Sequence, residues 1–356
     1  MKFSLLALIG LLASIVPAFV QHAHAADAKP ANSSNAVWLG HAYVSTASTV
    51  ALVPKTAAFL KDHQVDYFFV NVGRVDKTGK LPIGTRTQIV NFLDTLADWE
   101  TANKHSFKVL AWINGSIDET NTERFVDINQ TALRSAIADE AKKFVDAKLP
   151  QSYIAGAKRA FDGVQIDLEP AGGSEQKAAN LFALMEEIRQ KIGPDKLTSF
   201  TPHKIGDRNR YWSNAEFYYG MGQRVDLICA MTYDMGQKEA SVYRAWVEQQ
   251  TLEIMRAVSG ATWNNDAKHP RPKDSLKTFI GFPAFPPNNW HDVKVETITD
   301  AAFGTRQALE KLEKSNPETL RYFGGAAVYL YTDGTGTDSY SSPQHWAEFK
   351  SIWLQK

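Results

Sequence analysis

The sequence predicts one α/β domain, a (β/α)8 TIM barrel over residues 36–356. Three observations predict it. Short apolar runs rich in β-branched and aromatic residues alternate, eight times, with helical patterns. One of those runs, Phe161–Pro170, has a clean period of two and carries its carboxyls towards its C-terminal end, where parallel barrels build their sites. No interior linker, low-complexity segment or block of like charge divides the chain.

Strands are expected at Ala36–Ser45, Val65–Val72, Phe107–Asn114, Gly163–Glu169, Leu197–His203, Val225–Tyr233, Lys277–Phe282 and Gly325–Tyr331. The clearest helices are expected at Thr85–Lys104, Asn129–Ala147, Glu175–Ile192, Arg244–Val258 and Ala301–Ser315, where apolar residues recur at spacings of three and four. A last helix is expected at Pro343–Leu354. Phe282-Pro283-Ala284-Phe285-Pro286-Pro287 reads as a stiff loop after strand seven.

The N-terminus reads as a secretory signal over residues 1–25. Lys2 precedes an apolar run, Phe3 to Val20, and Ala23-His24-Ala25 forms a cleavage site before Ala26. A membrane anchor is the competing reading, but Pro17 and the small residues after it favour cleavage. No Cys follows the run, so no lipid-linked N-terminus is expected. Residues 26–35 read as a mobile leader. The mature chain is expected to be secreted or periplasmic, monomeric, and free of the membrane.

Lys plus Arg and Asp plus Glu both number 39, which argues against nucleic acid or an anionic membrane as the main partner. The nine Trp, twelve Tyr and nineteen Phe exceed what a lean core needs, and some can serve as stacking faces for sugars. The single Cys229 excludes an intramolecular disulfide, and its apolar strand marks it as a buried structural thiol. No His, Asp or Glu cluster has zinc spacing and no G-x-S-x-G occurs, so no metal or cofactor is expected.

In Gly163–Glu169, Val164, Ile166 and Leu168 point one way and Gln165, Asp167 and Glu169 the other. An amide and two carboxyls in a core are costly unless they face a wet cavity. Two carboxyls two residues apart can interact, so that one keeps the other protonated near neutral pH, as a general acid requires.

At these residues the chain resembles the family-18 glycoside hydrolases, the chitinase family, whose strand-four signature is D-G-x-D-x-D-x-E. Here it reads Asp162-Gly163-Val164-Gln165-Ile166-Asp167-Leu168-Glu169. Met231-Thr232-Tyr233-Asp234 matches that family's M-x-Y-D, and Gly281-Phe282-Pro283-Ala284-Phe285 is similar to its G-x-P-x-aromatic segment. Gly324-Gly325 leads to Tyr329 where the family usually has Trp. The resemblance implies hydrolysis of β-linked, N-acetylglucosamine-containing glycan with retention, assisted by the substrate's own acetamido oxygen. It implies Glu169 as acid and then base, and Asp167 as the group that holds the acetamido N–H and the oxazolinium. It implies Tyr233 on the acetamido carbonyl, and Asp234 supporting Tyr233 or touching sugar. Gln165 stands where the family usually has Asp. It is expected to donate a hydrogen bond to Asp167 and favour its ionised form. The short gap from Phe285 to about Thr297 leaves no room for the α+β insertion of deep-clefted members, which implies an open groove.

Two rival functions remain: a chitinase-like barrel that binds glycan without cleaving it, and a hydrolase of glycans lacking acetamido groups. Other residues carry two readings. Trp112 and Asn114 share a face at the end of strand three, as a sugar platform or as core. Asp162 reads first as a cap on the strand's start. His203 reads first as a hydrogen-bonded wall residue. His41 and Tyr43 share a face on strand one, with substrate contact as one reading, and Trp290 is a candidate stacking surface. Gly334-Thr335-Gly336 is too loose for a phosphate loop.

Overall fold

The computed structural model describes residues 34–84, 86–206, 209–331 and 343–354. The expected signal peptide, nearly all of the leader and Gly334–Gly336 lie outside these residues. Eight parallel strands close into a barrel in sequence order. They are β1 (Asn35–Leu39), β2 (Val65–Arg74), β3 (Lys108–Ser116), β4 (Gly163–Glu169), β5 (Leu197–Phe200), β6 (Leu227–Ala230), β7 (Lys277–Pro283) and β8 (Phe323–Tyr331). Around them run α1 (Ala47–Val50), α2 (Val53–Asp62), α3 (Arg86–Asn103), α4 (Thr131–Val145), α5 (Glu175–Ile192), α6 (Ala215–Gly222), α7 (Ala240–Val258), α8 (Ile298–Ser315) and α9 (Pro343–Glu348), which continues as a π-helical turn to Leu354. The segment from β7 to α8 carries no inserted domain, only an isolated bridge between Asn288 and His291.

Side-chain alternation along each strand makes two cores. The outer core joins strands to helices and takes Val164, Ile166 and Leu168 of β4. The inner core fills the barrel with Trp38, Phe69, Leu110, Trp112, Cys229 and Phe279. Cys229 is fully buried there and burial pushes its thiol well up, as a structural cysteine requires. Three helix starts carry a side-chain cap: Ser174, Asn214 and Thr297 each accept from the backbone N–H three residues on, at the start of α5, α6 and α8.

Three expectations need correction. Asn35 belongs to the barrel, not the leader. Its side chain donates to Gln64 O at 3.0 Å and accepts from Trp353 Nε1 at 2.8 Å. β1 stops at Leu39, before Gly40, and His41–Val44 form a 3-10 turn. That turn separates His41 from Tyr43: His41 is exposed, while Tyr43 is buried with its hydroxyl 2.9 Å from Thr56 Oγ1. The helices α2 and α6 were not among the clear patterns. Both are short, α2 opens with Pro54, and α6 is eight residues with two glycines.

Candidate active site

The first and last residues of the β4 signature do different work. Asp162, just before Gly163, accepts from Val109 N at 2.9 Å and from Arg159 at 2.6 Å, below the barrel. It is therefore a strand cap. Gly163 is needed because a Cβ there would stand 2.0 Å from Leu197 O, blocking the close β4–β5 approach.

At the other end, pairing with β3 sets Asp167 beside Asn114 and Glu169 beside Ser116. Asp167 is buried, and Trp112 Nε1 donates to its Oδ2 at 3.0 Å. Trp112 is thus both core and a fixed donor to Asp167. Burial holds the Asp167 carboxyl well above the usual carboxylate range. The neighbouring Glu169 carboxyl raises it further, against the Trp112 N–H and the Arg74 charge. Oδ1 is buried with no hydrogen-bond partner. The Glu169 side chain is 45% exposed, so the pair has one sealed member and one open to the cleft.

Beneath Asp167 lies a neutral chain. Trp38 Nε1 donates to Gln165 Oε1 at 2.6 Å, Gln165 Nε2 donates to Ser199 Oγ at 3.1 Å, and Ser199 Oγ lies 3.8 Å from Cys229 Sγ. An indole can only donate, so the Gln165 oxygen faces Trp38 and its NH₂ faces Ser199. The expected hydrogen bond from Gln165 to Asp167 is therefore not made. The expected bias of Asp167 towards ionisation is also reversed, because burial and the neighbouring Glu169 dominate. Gln165 is fully buried and lies under the cleft rather than on its wall.

Tyr233 projects from the end of β6. It stacks on Tyr329 at 5.5 Å and 16° and meets Phe285 edge-on at 5.2 Å. Gly281 on β7 makes room, since a Cβ there would stand 2.9 Å from the Tyr233 ring. Burial raises the Tyr233 phenol well above its ordinary value, and Tyr329, Asp234, Asp167 and Glu169 are near enough to add to that. Tyr329 also meets Trp38 at 5.6 Å and Trp112 at 6.2 Å, so the smaller ring sits in an aromatic floor widened by two tryptophans.

Asp234 has a left-handed φ of 60°, which Asp tolerates better than most residues. Glu296 holds that turn by accepting from Asp234 N and Met235 N, both at 2.8 Å. The Asp234 carboxyl accepts from Asn288 at 3.1 Å rather than from Tyr233, and burial raises its proton affinity. Lys204 Nζ donates to Asp234 O at 2.9 Å, and burial lowers its pKa. Glu296, Lys204 and Asn288 escape a reading of the sequence because each is distant from the motif it supports. Trp38 could have been found, since it shares strand parity with Ala36 and points into the barrel.

These groups line one cleft with two lobes. A lobe of about 690 Å³ lies towards β5–β7 and includes Met231, Tyr233, Asp234 and the 66% exposed Trp290. A lobe of about 510 Å³ lies towards β1–β3 and includes His41, Asn71, Arg74 and Asn114. Trp112, Asp167, Glu169, Tyr211 and Tyr329 line both. On this cleft Asn114 Oδ1, Thr201 Oγ1 and His203 Nε2 are buried with no partner in the protein. His203 lines the wall as expected, but its Nε2 makes no hydrogen bond. Among the described residues no cluster of three His, Cys, Asp or Glu could hold a metal, and no helix is long and apolar enough to cross a membrane.

No curated protein matches the chain. Solved structures that it resembles share its fold. The Chromobacterium violaceum family GH18 chitinase aligns at 13% identity over 91% of this chain and 86% of its own, with a TM-score of 0.54. The Bacillus cereus spore cortex-lytic enzyme SleL aligns at 10% identity over 90% and 74%, with a TM-score of 0.54. The C-terminal domain of a putative chitinase from Desulfitobacterium hafniense aligns at 16% identity over 92% and 100%, with a TM-score of 0.53. The description "Glycosyl hydrolases family 18" matches residues 13–349, nearly the whole sequence, and the chain belongs to that family.

Proposed function

We propose that this protein is an exported, retaining hydrolase of β-linked, N-acetylglucosamine-containing glycan. The observation that carries the reading is the convergence of three groups on one cleft: sealed Asp167, open Glu169 and the Tyr233 hydroxyl. The cleft suits a sugar, with an aromatic floor below and unpartnered polar atoms around it.

In this reading Glu169 gives its proton to the glycosidic oxygen as the bond to the anomeric carbon breaks. The substrate's acetamido oxygen attacks from the other face, so no protein nucleophile is needed. The proton that burial keeps on Asp167 passes to Glu169 before the glycosidic bond breaks, so Asp167 is then a carboxylate that accepts from the acetamido N–H and offsets the oxazolinium as that forms. Tyr233 donates to the acetamido carbonyl and fixes its line of attack. Glu169, now a carboxylate, takes a proton from water as water opens the ring. The retaining outcome follows from two displacements.

Family membership supports glycoside hydrolysis, and the Tyr233 hydroxyl favours acetamido sugars over others. One observation favours a binding barrel instead: Gln165 is neutral where the family pattern has a third carboxyl. Mass spectrometry of products from chito-oligosaccharides, peptidoglycan and N-glycans separates the readings, run with wild type and Glu169→Gln. Cleavage by wild type alone supports hydrolysis. Binding of intact chains by both proteins, without products, overturns it.

A further inference from the structure

β5 ends at Phe200, but its direction continues through Thr201 and Pro202 to His203. Two contacts lock His203. Its backbone bridges to Met231, through Met231 N donating to Pro202 O at 3.0 Å, and Tyr218 Oη donates to His203 O at 2.6 Å. The ring lies edge-on to Tyr211 at 5.7 Å and 80°. So held, its Nε2 is buried, has no hydrogen-bond partner, and stands 3.8 Å from Glu169 Oε2. That gap is about 1 Å longer than a hydrogen bond. Glu169 is the more exposed partner, with its side chain 45% exposed against 9% for His203. Hydrogen bonds in an empty active site are often long and close only around substrate.

We propose that His203 is a positioning residue for Glu169: its Nε2–H bonds the Glu169 carboxylate once that acid has given up its proton. The proposal rests on the acid/base reading of Glu169. His203 neither gains nor loses a proton in the cycle. The proton leaves Glu169 for the glycosidic oxygen and returns to Glu169 from water. Between those steps the Nε2–H occupies one carboxylate oxygen and leaves the other aimed at water. The role needs a neutral imidazole, and the surroundings favour one. Burial lowers the His203 pKa and the Lys204 charge works the same way, against Glu169, which pulls it up. The other groups packed on it, the Tyr211 ring, Met231 and the Tyr218 hydroxyl at its carbonyl, bring no further charge.

The test compares His203→Phe, which keeps a ring without a donor, with His203→Gln, which keeps an N–H at similar reach. Turnover is measured against pH on whichever glycan wild type cleaves, and Glu169→Gln is run beside them. For His203→Phe, kcat should fall about 10- to 100-fold, the weight of one hydrogen bond to a charged group, with KM little changed. The alkaline limb of its kcat profile, which reports the substrate complex, should move up, because the carboxylate has lost a donor. His203→Gln should recover most of both effects. A merely structural His203 would not shift the limb, and Gln would not restore it. If His203→Phe turns over with the wild-type rate and profile while Glu169→Gln is inactive, the proposal fails and the reading of Glu169 stands. If Glu169→Gln remains active, or wild type cleaves none of the three glycans, that reading fails and the proposal with it.

Discussion

At the N-terminal end of β4, Asp162 accepts from a backbone N–H and from Arg159, and Lys108 stands 3.7 Å away. Arg159 in turn bonds both oxygens of Glu100 at 2.6 Å. At the C-terminal end of the same strand, Asp167 has one indole N–H, and a second carboxyl where Asp162 has cations. The two aspartates differ in purpose. Asp162 is neutralised by its neighbours and ties β3 to β4. Asp167 is buried with its charge opposed rather than compensated, an arrangement that costs stability and that only a site requires. At Asp162 neighbouring cations compensate the carboxyl, and at Asp167 a second carboxyl opposes it.

Glu169→Gln should break the active end most severely. Removing a general acid lowers turnover by about 10²–10⁴-fold. The fold should be unaffected, because the side chain is half-exposed and Gln is nearly isosteric. Steady-state kinetics beside a thermal melt check both halves, and an active Glu169→Gln would remove Glu169 from the mechanism.

Asp167→Asn should lower turnover by about 10²–10³-fold, the loss expected when one electrostatic stabiliser of the transition state goes. It should also stabilise the fold in a pH-dependent way. The Asp167 carboxyl binds its proton more tightly folded than unfolded. The stability this gives is fully present below the ordinary carboxylate value of about 4 and is lost as pH rises through the raised folded value. Asn carries no such penalty. The Tm of Asp167→Asn should therefore match wild type near pH 4 and exceed it increasingly towards neutral pH. Parallel Tm curves would mean that Asp167 is not held protonated by its surroundings.

Asp162→Ala tests the opposite end. It leaves the Val109 N–H without its partner and deprives Arg159 of one of two carboxylates. Stability to denaturant should fall by about 1–3 kcal/mol. Turnover per folded molecule should not change. A selective loss of activity in a fully folded Asp162→Ala would show that the two ends of β4 are coupled.

Much of this comparison was legible in the sequence. Alternation in Gly163–Glu169 assigned the two faces of β4 correctly, because a strand with one face in each core must alternate. The β4, β6 and β8 motifs also placed Asp167, Glu169, Tyr233 and Tyr329 around one cleft. What stayed hidden depends on long-range contact. Gln165 has a fixed orientation only because Trp38, 127 residues away, offers it an N–H that cannot accept. The turn at Asp234 is held by Glu296, 62 residues on. His203 was visible as a residue, but its empty Nε2 was not. Period two also misled at Gly40, where the chain leaves β1 for a helical turn and Tyr43 drops into the outer core.

The smallest expected effect sharpens the comparison most, because it concerns the neutral residue between the two aspartates. Gln165 is fully buried and both ends of its amide are engaged, so it brings no charge to the barrel interior. Gln165→Glu keeps the shape. One carboxyl oxygen can still accept from Trp38, and the Ser199 hydroxyl can turn to donate to the other. The new group should stay protonated at acid pH, since burial opposes its charge. When it ionises it adds a negative neighbour on the same face of β4 as Asp167 and Glu169, and the three carboxyls titrate as one coupled system. The alkaline limb of kcat/KM should then move up, with turnover at the optimum within about tenfold of wild type, a span of roughly one pKa unit in energy. Superimposable pH profiles would show that the Trp38–Gln165–Ser199 chain is electrically isolated from the carboxyl pair. An inactive wild type that gains activity as Gln165→Glu would instead identify the natural protein as a glycan-binding barrel, kept from catalysis by its one neutral residue on that face.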